Sequence, residues 1–193
     1  MKIILLHGFA SVGTGAKYEA LVKEFGRDNI FSPNLPVNPA DVEALLDEEI
    51  KCMHLDGEEP ALFVGTSLGG FWANYMAQKY KKPCVIVNPS MFPSHTMFFV
   101  SGMTMCNFAT GLPFTVPIDI VPSFMKREKF LEDNTNGELI NLFVARDDNI
   151  LDYKVTLRQT PQTASTQIFE DGGHRFEKHW PSVLEKIKEL VIK

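Results

Sequence analysis

The segment from Leu62 to Tyr80 constrains the fold more than any other part of the sequence. A short apolar run at residues 62–64 leads directly into Gly65-Thr66-Ser67-Leu68-Gly69-Gly70, and a helical pattern then continues to about Tyr80. A chain that passes from strand to helix in so few residues must bend sharply, and the glycines leave room for the neighbouring strand and helix. The segment therefore predicts a strand, a tight turn and a helix, with Ser67 in the turn.

Short apolar runs recur along the chain and alternate with helical patterns. One of these helices has clear start signals, with Asn38 as its N-cap and Pro39 at its first position. The predicted strands occupy residues 3–6, 29–31, 62–64, 84–87, 140–144 and 167–169. Strands that alternate with helices predict a parallel sheet, with functional groups at the carboxyl ends of the strands.

The composition argues against several classes of protein. The 193 residues are 45% hydrophobic and 22% charged, as is usual for a globular chain, and this length predicts one domain over residues 1–193. The net charge is -5, and no cluster of Lys and Arg is long enough to follow a nucleic acid or dock on an anionic membrane. No apolar stretch has the length of a membrane span or a secretory signal. We therefore expect no nucleic-acid partner, no membrane insertion and a cytoplasmic location.

The cysteines also favour a cytoplasmic location. Cys52, Cys84 and Cys106 are odd in number, lie far apart and lack any metal-ligand spacing. We interpret them as free thiols in a reducing compartment and expect no metal site.

Ser67 is the candidate nucleophile, because GxSxG between a strand and a helix raises a serine hydroxyl above the sheet. The alternative is a simple turn in which Ser67 has no chemical role. The backbone N–H of Leu68, at the start of the following helix, is a candidate donor to an oxyanion. We predict a second donor in the loop after the first strand, the N–H of Phe9, because Gly8 lets the backbone approach a ligand closely.

A serine hydroxyl needs a neighbouring base, and His174 is the best placed of five histidines. It follows a predicted strand in a glycine-rich loop, and it comes last in the chain order of serine, acid and histidine. The alternative is a surface histidine without a catalytic role. Three of the other histidines do not follow a strand end, namely His54, His95 and His179. The fourth, His7, suits a packed structural role.

Three carboxylates follow the strand predicted at residues 140–144 and compete for the role of the acid: Asp147, Asp148 and Asp152. Asp148 is favoured, because the apolar pair Ile150 and Leu151 would anchor its loop and hold the carboxylate at the sheet edge. Asp147 is the next choice, and each could instead be a solvated loop residue. The acid would hold the imidazole in one tautomer and stabilise the imidazolium.

Six segments along the chain form a specific set when they are taken together. They are LHGF (6–9), PNLP (33–36) with PAD (39–41), VGTSLGG (64–70), VNP (87–89), DNILDY (148–153) and EDGGHRF (170–176). In these segments the chain resembles the small bacterial esterases of the YqiA/YcfP-like type, within the α/β-hydrolase superfamily. The resemblance implies an α/β-hydrolase fold, with a mostly parallel sheet of about six strands and helices on both faces.

The resemblance also implies a carboxylic ester hydrolase without a cofactor, with Ser67, Asp148 and His174 as its triad. It favours Asp148 over Asp147. The expected reaction is cleavage of a small-molecule acyl ester or thioester through an acyl-enzyme, with Phe9 and Leu68 holding the oxyanion. A thioesterase or amidase would use the same residues. A third hypothesis is a non-catalytic ligand-binding protein that keeps the fold.

Residues 91 to about 134 interrupt the alternation of strands and helices, and here the resemblance fades. The segment is rich in Met and Phe and is broken by Pro and Gly, so we predict a cap-like insertion within the domain. It would form either an apolar acyl pocket or lid, or ordinary packing over the sheet edge. An exposed apolar surface of this size would also favour a homodimer through the cap.

Overall fold

A six-stranded parallel sheet forms the centre of the molecule in a computed structural model that describes residues 1–192. The strands of the chain are β1 (Lys2–Leu6), β2 (Ile30–Phe31), β3 (Ala61–Thr66), β4 (Cys84–Val87), β5 (Thr104–Cys106), β6 (Pro113–Thr115), β7 (Ile140–Ala145) and β8 (Ser165–Phe169). The sheet order is β2-β1-β3-β4-β7-β8, and all neighbours in it are parallel. The predicted mostly parallel sheet of about six strands is therefore confirmed.

Helices cover both faces of this sheet. They are α1 (Ala16–Phe25), α2 (Pro39–Cys52), α3 (Leu68–Tyr80), α4 (Pro93–Phe98), α5 (Ile120–Asn134), α6 (Tyr153–Gln159) and α7 (Trp180–Val191). The predicted cap of α2 is present, since Asn38 Oδ1 accepts a hydrogen bond of 2.9 Å from the N–H of Ala40. None of the helices in residues 1–192 combines the length and the apolar character that crossing a bilayer requires.

The core consists of two buried clusters, one on each face of the sheet. Ile4 and Leu6 of β1 belong to the cluster that includes residues of α2, α3 and α5. Ile3 and Leu5, which alternate with them, belong to the cluster that includes residues of α1 and α7. Because successive side chains of a strand point to opposite faces, a strand covered on both sides must be apolar throughout. The continuous apolar runs in the sequence reflect this arrangement.

The predicted insertion at 91–134 contains three kinds of structure. It begins with the short helix α4, continues as an exposed antiparallel hairpin of β5 and β6, and ends with α5. The residues of α5 that face inward, Ile120, Phe124 and Leu131, are buried in the same cluster as α2 and α3. A bond of 2.6 Å from Arg127 to Glu43 also joins α5 to α2. The outer part of the segment is therefore the hairpin, while α5 covers the sheet.

Candidate active site

Ser67 lies in a strained turn between β3 and α3, with φ 58° and ψ −125°. Backbone hydrogen bonds hold it there: its N–H donates to the carbonyl of Val87 (3.0 Å), and its own carbonyl accepts from the N–H of Ser90 (3.0 Å). The glycines are required by close contacts. A Cβ on Gly69 would lie 2.0 Å from the carbonyl oxygen of Leu6, which is far inside van der Waals distance. The local sequence thus permits a turn that exposes the serine side chain at the strand end.

The structure brings Ser67, His174 and Asp148 together although they are distant in the sequence. His174 Nε2 lies 3.0 Å from Ser67 Oγ, and His174 Nδ1 lies 2.9 Å from Asp148 Oδ2. All three residues follow the carboxyl ends of parallel strands, namely β3, β7 and β8. The spacing and order are those of a nucleophile, a base and an orienting acid.

The environment of Asp148 favours its ionised form. Its side chain is only 1% exposed, and burial alone would raise its pKa. Hydrogen bonds from His174 and from the backbone N–H groups of Leu151 and Ile150 outweigh this effect, so the pKa of Asp148 is lowered. The two backbone bonds, of 3.0 and 2.8 Å, both reach Oδ1. This leaves Oδ2 as the oxygen nearest to His174.

The two competing carboxylates take other roles in the loops. Asp147 accepts hydrogen bonds from the N–H groups of Gly173 (2.8 Å) and Gly172 (3.3 Å), so it shapes the loop that carries His174. Asp152 is the N-cap of α6 and accepts a bond of 2.9 Å from the N–H of Lys154. Asp148 is the carboxylate that contacts the imidazole.

His7 holds the loop that carries the predicted oxyanion donor. Its Nδ1 donates to the carbonyl of Gly8 at 2.8 Å, and its Nε2 accepts from the N–H of Leu35 at 2.9 Å. These roles require the neutral ring, and burial lowers the pKa of His7 accordingly. In a trans peptide the N–H points away from the C=O, so fixing the Gly8 carbonyl also fixes the direction of the Phe9 N–H. His7 is therefore structural in position, as its sequence context indicated.

The backbone of the loop after β1 lies against the nucleophile. A Cβ on Gly8 would lie 3.5 Å from Ser67 Cβ and 3.9 Å from Ser67 Oγ. Phe9 follows Gly8 and Leu68 follows Ser67, so both predicted oxyanion donors adjoin the two residues in this contact. Two amides stabilise the negative charge that develops on an ester carbonyl oxygen when both point at that oxygen.

Asn88, for which the sequence indicated no role, connects the loops of the site. Its side-chain Nδ2 donates to the carbonyls of Gly173 (2.9 Å) and His174 (3.2 Å), while Oδ1 accepts from the N–H of Ala145 (2.9 Å). The residue has φ 40°, a conformation that Asn tolerates better than most residues. An Asn between the end of a strand and a proline was the signal that could have indicated this role.

Lys17 is a second residue that the sequence did not single out. Its Nζ donates to Thr66 Oγ1 at 3.1 Å, directly before Ser67, and lies 5.1 Å from the centre of the Trp180 ring. Burial lowers the pKa of Lys17 to about 8. Lys17 therefore connects α1 with the nucleophile turn and with α7.

Comparison with known proteins places the chain in a family. Residues 2–191 match the model described as "Uncharacterised protein family (UPF0227)". The chain belongs to UPF0227. A UPF0227 protein of Yersinia enterocolitica is 29% identical over 188 residues, which cover 96% of each chain. The UPF0227 protein YcfP of Escherichia coli is 33% identical over 99 residues, 49% of this chain and 54% of that protein. The same 54% coverage applies to a UPF0227 protein of Enterobacter, so this match spans about half of that relative.

Solved structures identify the fold of this UPF0227 chain. The structure described as "LipS and LipT, two metagenome-derived lipolytic enzymes" superposes with a TM-score of 0.72 at 14% identity, covering 97% of this chain and 91% of that one. Mouse alpha/beta hydrolase domain-containing protein 10 gives 0.66 at 16% identity, covering 98% and 89%. The predicted α/β-hydrolase fold and the YcfP-like resemblance are both confirmed.

Proposed function

We propose that this UPF0227 chain is a serine hydrolase that cleaves carboxylic esters through an acyl-enzyme intermediate. The observation that carries the proposal is the connected series from Ser67 Oγ to His174 (3.0 Å) and from His174 to Asp148 (2.9 Å). A buried carboxylate with a lowered pKa supports it, because an ionised acid is needed beside the imidazole. The lipolytic enzymes with the same fold show only that this scaffold can house such chemistry.

The proposed reaction follows from the order of these groups. His174 Nε2 takes the proton of Ser67 Oγ as that oxygen attacks the ester carbonyl, and the amides of Phe9 and Leu68 stabilise the oxyanion. Asp148 stabilises the imidazolium without becoming protonated. His174 then gives the proton to the departing alcohol oxygen, and the C–O bond breaks. A water molecule, activated by the same ring, releases the acid and restores Ser67.

The test combines covalent labelling with turnover. Wild-type protein should react with a fluorophosphonate probe and hydrolyse p-nitrophenyl acetate, and Ser67→Ala should lose both. Ser182→Ala, on the outer helix α7, is the matched control and should keep both. Mass spectrometry should place the label on the peptide that contains Ser67. A folded wild-type protein that is labelled elsewhere, or not at all, would exclude the proposal.

Thioesters and amides are the alternative substrates, because the same residues would serve them. Parallel rates on an acyl ester, the matching thioester and the matching anilide decide between them. The non-catalytic hypothesis is the second class of function, and it predicts saturable binding of the ester without turnover. We favour catalysis over binding alone because the contacts from Ser67 to His174 and from His174 to Asp148 form a connected series, and we favour the ester because the sequence resembles that of small bacterial esterases.

We also retain the organisation expected from the sequence as part of the proposal. It comprises one domain over residues 1–193, a cap within residues 91–134, and a cytoplasmic location. Exposed apolar side chains of the cap, which include Phe99 and Phe108, support association into a homodimer. Sedimentation of the purified chain over a range of concentrations tests this last point.

A further inference from the structure

A cavity of about 290 Å³ lies beside the predicted oxyanion donors and has an apolar floor. Both Phe9 and Leu68 border it. The floor consists of Val42, Trp72 and Phe124, which are almost fully buried. Because Leu68 directly follows Ser67 in the chain, the cavity begins one residue from the proposed nucleophile and can receive part of the substrate.

The β5–β6 hairpin forms one wall of this cavity. Phe114 of β6 packs edge-on against Phe9, with 5.7 Å between ring centres. At the start of the turn, Phe108 N–H donates to the carbonyl of Ala10 (2.8 Å) and Asn107 Nδ2 donates to the carbonyl of Ser11 (2.9 Å). The hairpin thus closes over the space and is bound to the loop that carries the oxyanion donor.

The lining excludes charged ligands. Among the described residues that border the cavity, none is an Asp, Glu, Lys or Arg. Of the polar side chains in the lining, those of His7, Asn34 and Asn107 bond to loop backbone at 2.8 to 3.1 Å, and Thr110 Oγ1 accepts from the N–H of Leu112 at 3.3 Å. A carboxylate or phosphate in this space would lose its hydration without gaining a charged partner, whereas a hydrocarbon would gain from burial.

The position of His174 decides which part of an ester enters the cavity. The departing alcohol must lie near His174 Nε2, because that nitrogen returns the proton to it. Neither His174 nor Ser67 borders the cavity, while Phe9 and Leu68, which carry the proposed oxyanion donors, do. The acyl part of the ester therefore fits here, and the alcohol leaves on the side of His174.

We propose that the cavity binds the acyl chain, and that the substrates are esters of unbranched, medium-length fatty acids. The inference rests on the proposed function and adds its substrate class. A chain of eight carbons needs about 240 Å³ if each carbon takes roughly the 30 Å³ that a water molecule occupies in the liquid, and the cavity of about 290 Å³ accommodates it. Longer chains must protrude from the mouth of the cavity and gain no further burial.

Two ester series test the proposal. In the first, the acyl chain grows from acetate to laurate on a constant p-nitrophenol; in the second, the alcohol grows from methyl to octyl on a constant acetate. In the wild type, kcat/KM should rise with acyl length up to about eight carbons. The total rise should be at least about tenfold, a lower bound because a single methylene in an apolar pocket can already be worth that much. Alcohol length should have little effect.

Val37, a half-buried residue of the lining, is the site for a variant that fills the cavity. Val37→Phe should lower the octanoate-to-acetate ratio of kcat/KM by about tenfold or more. The matched control, Val191→Phe at the end of α7, should leave that ratio unchanged. A ratio that is flat in the wild type, or insensitive to Val37→Phe, overturns the acyl site while leaving ester hydrolysis intact.

A binding measurement tests the acyl site even if the protein hydrolyses no ester. The chain has two tryptophans, so Ser67→Ala combined with Trp180→Phe leaves Trp72, in the cavity floor, as the fluorophore. 1-Bromooctane should quench its emission saturably, and Val37→Phe should weaken this quenching by about tenfold or more. Equal quenching with and without Val37→Phe overturns the site. Failure of the proposed function appears instead as absent labelling of Ser67.

Discussion

Replacing Asp148 by Asn is the sharpest test of how the acid acts. Asp148 Oδ1 accepts two backbone N–H groups, at 2.8 and 3.0 Å, and an amide NH2 cannot take that position. The Asn oxygen must therefore stay at Oδ1, which places the NH2 group where Oδ2 lay, 2.9 Å from His174 Nδ1. Because Oδ1 is the farther of the two atoms, at 3.1 Å from Nδ1, the nearer NH2 group favours the tautomer with the lone pair on Nδ1 and the proton on Nε2. In this tautomer His174 cannot accept the proton of Ser67.

The expected loss follows from two contributions. The imidazolium loses an adjacent charge, which is worth about 4 kcal/mol for charges roughly 4 Å apart at an effective dielectric constant of about 20. The productive tautomer, which has its proton on Nδ1, would place that N–H against the NH2 group of the Asn. This loss of a hydrogen bond costs about 1–2 kcal/mol more. At about 1.4 kcal/mol per factor of ten, the sum lowers kcat by roughly 10⁴-fold.

The assay is kcat on p-nitrophenyl esters for the wild type, Asp148→Asn and Asp147→Asn. Asp147 contacts backbone N–H groups of the histidine loop, so its amide loses charge next to the same loop without facing the ring. We expect Asp147→Asn to lose about tenfold or less, the cost of about one weakened hydrogen bond. Equal losses in the two variants, or a loss below tenfold in Asp148→Asn, would refute the reasoning.

Three further predictions concern the surroundings of the site. Burial lowers the pKa of Lys17 to about 8, so the charged form is costly in the folded state. Lys17→Met should therefore raise the free energy of unfolding by about 1–3 kcal/mol near pH 7. Urea denaturation at several pH values should show this gain shrinking above about pH 8, where the folded protein loses the charge. His7→Phe removes both loop hydrogen bonds and should lower kcat by about 10–100-fold, because the Phe9 donor loses its orientation. Gly69→Ala should cost more than about 2 kcal/mol in urea denaturation, because its Cβ meets the Leu6 carbonyl, whereas Gly57→Ala, with nothing within 4 Å, should change stability by less than about 0.5 kcal/mol.

The sequence predicted the sheet well because its strands are covered on both faces. The runs at residues 3–6 and 84–87, for example, are apolar without interruption, and they match β1 and β4 to within one residue. The sequence did not predict the hairpin at 104–115, because its strands are not covered on both faces. Its strands have three residues each and are mostly exposed, so neither a continuous apolar run nor a clean alternation marks them.

Helix α5 was hidden by residues that usually end helices. Pro122 follows two residues after its start at Ile120, where a missing N–H breaks no hydrogen bond, so the proline is compatible with the helix. The sequence could rank Asp148 above Asp147 but could not separate them by geometry, because both follow β7. The direction of each carboxylate depends on the loop after β8, which lies more than twenty residues further along.

The attachment of the hairpin to the loop after β1 has a consequence for how proteins of this kind can diversify. Both acceptors, at residues 10 and 11, are main-chain carbonyls, so they persist whatever side chains those positions carry. The exposed side chains of the hairpin, such as those of Phe108 and Leu112, take no part in the anchoring bonds, because Phe108 donates through its main-chain N–H. Mutation can therefore reshape most of the cavity wall while the main-chain bond from Phe108 to Ala10 persists. Under the proposed function, selectivity for a ligand could change without disturbing the loop that carries Phe9.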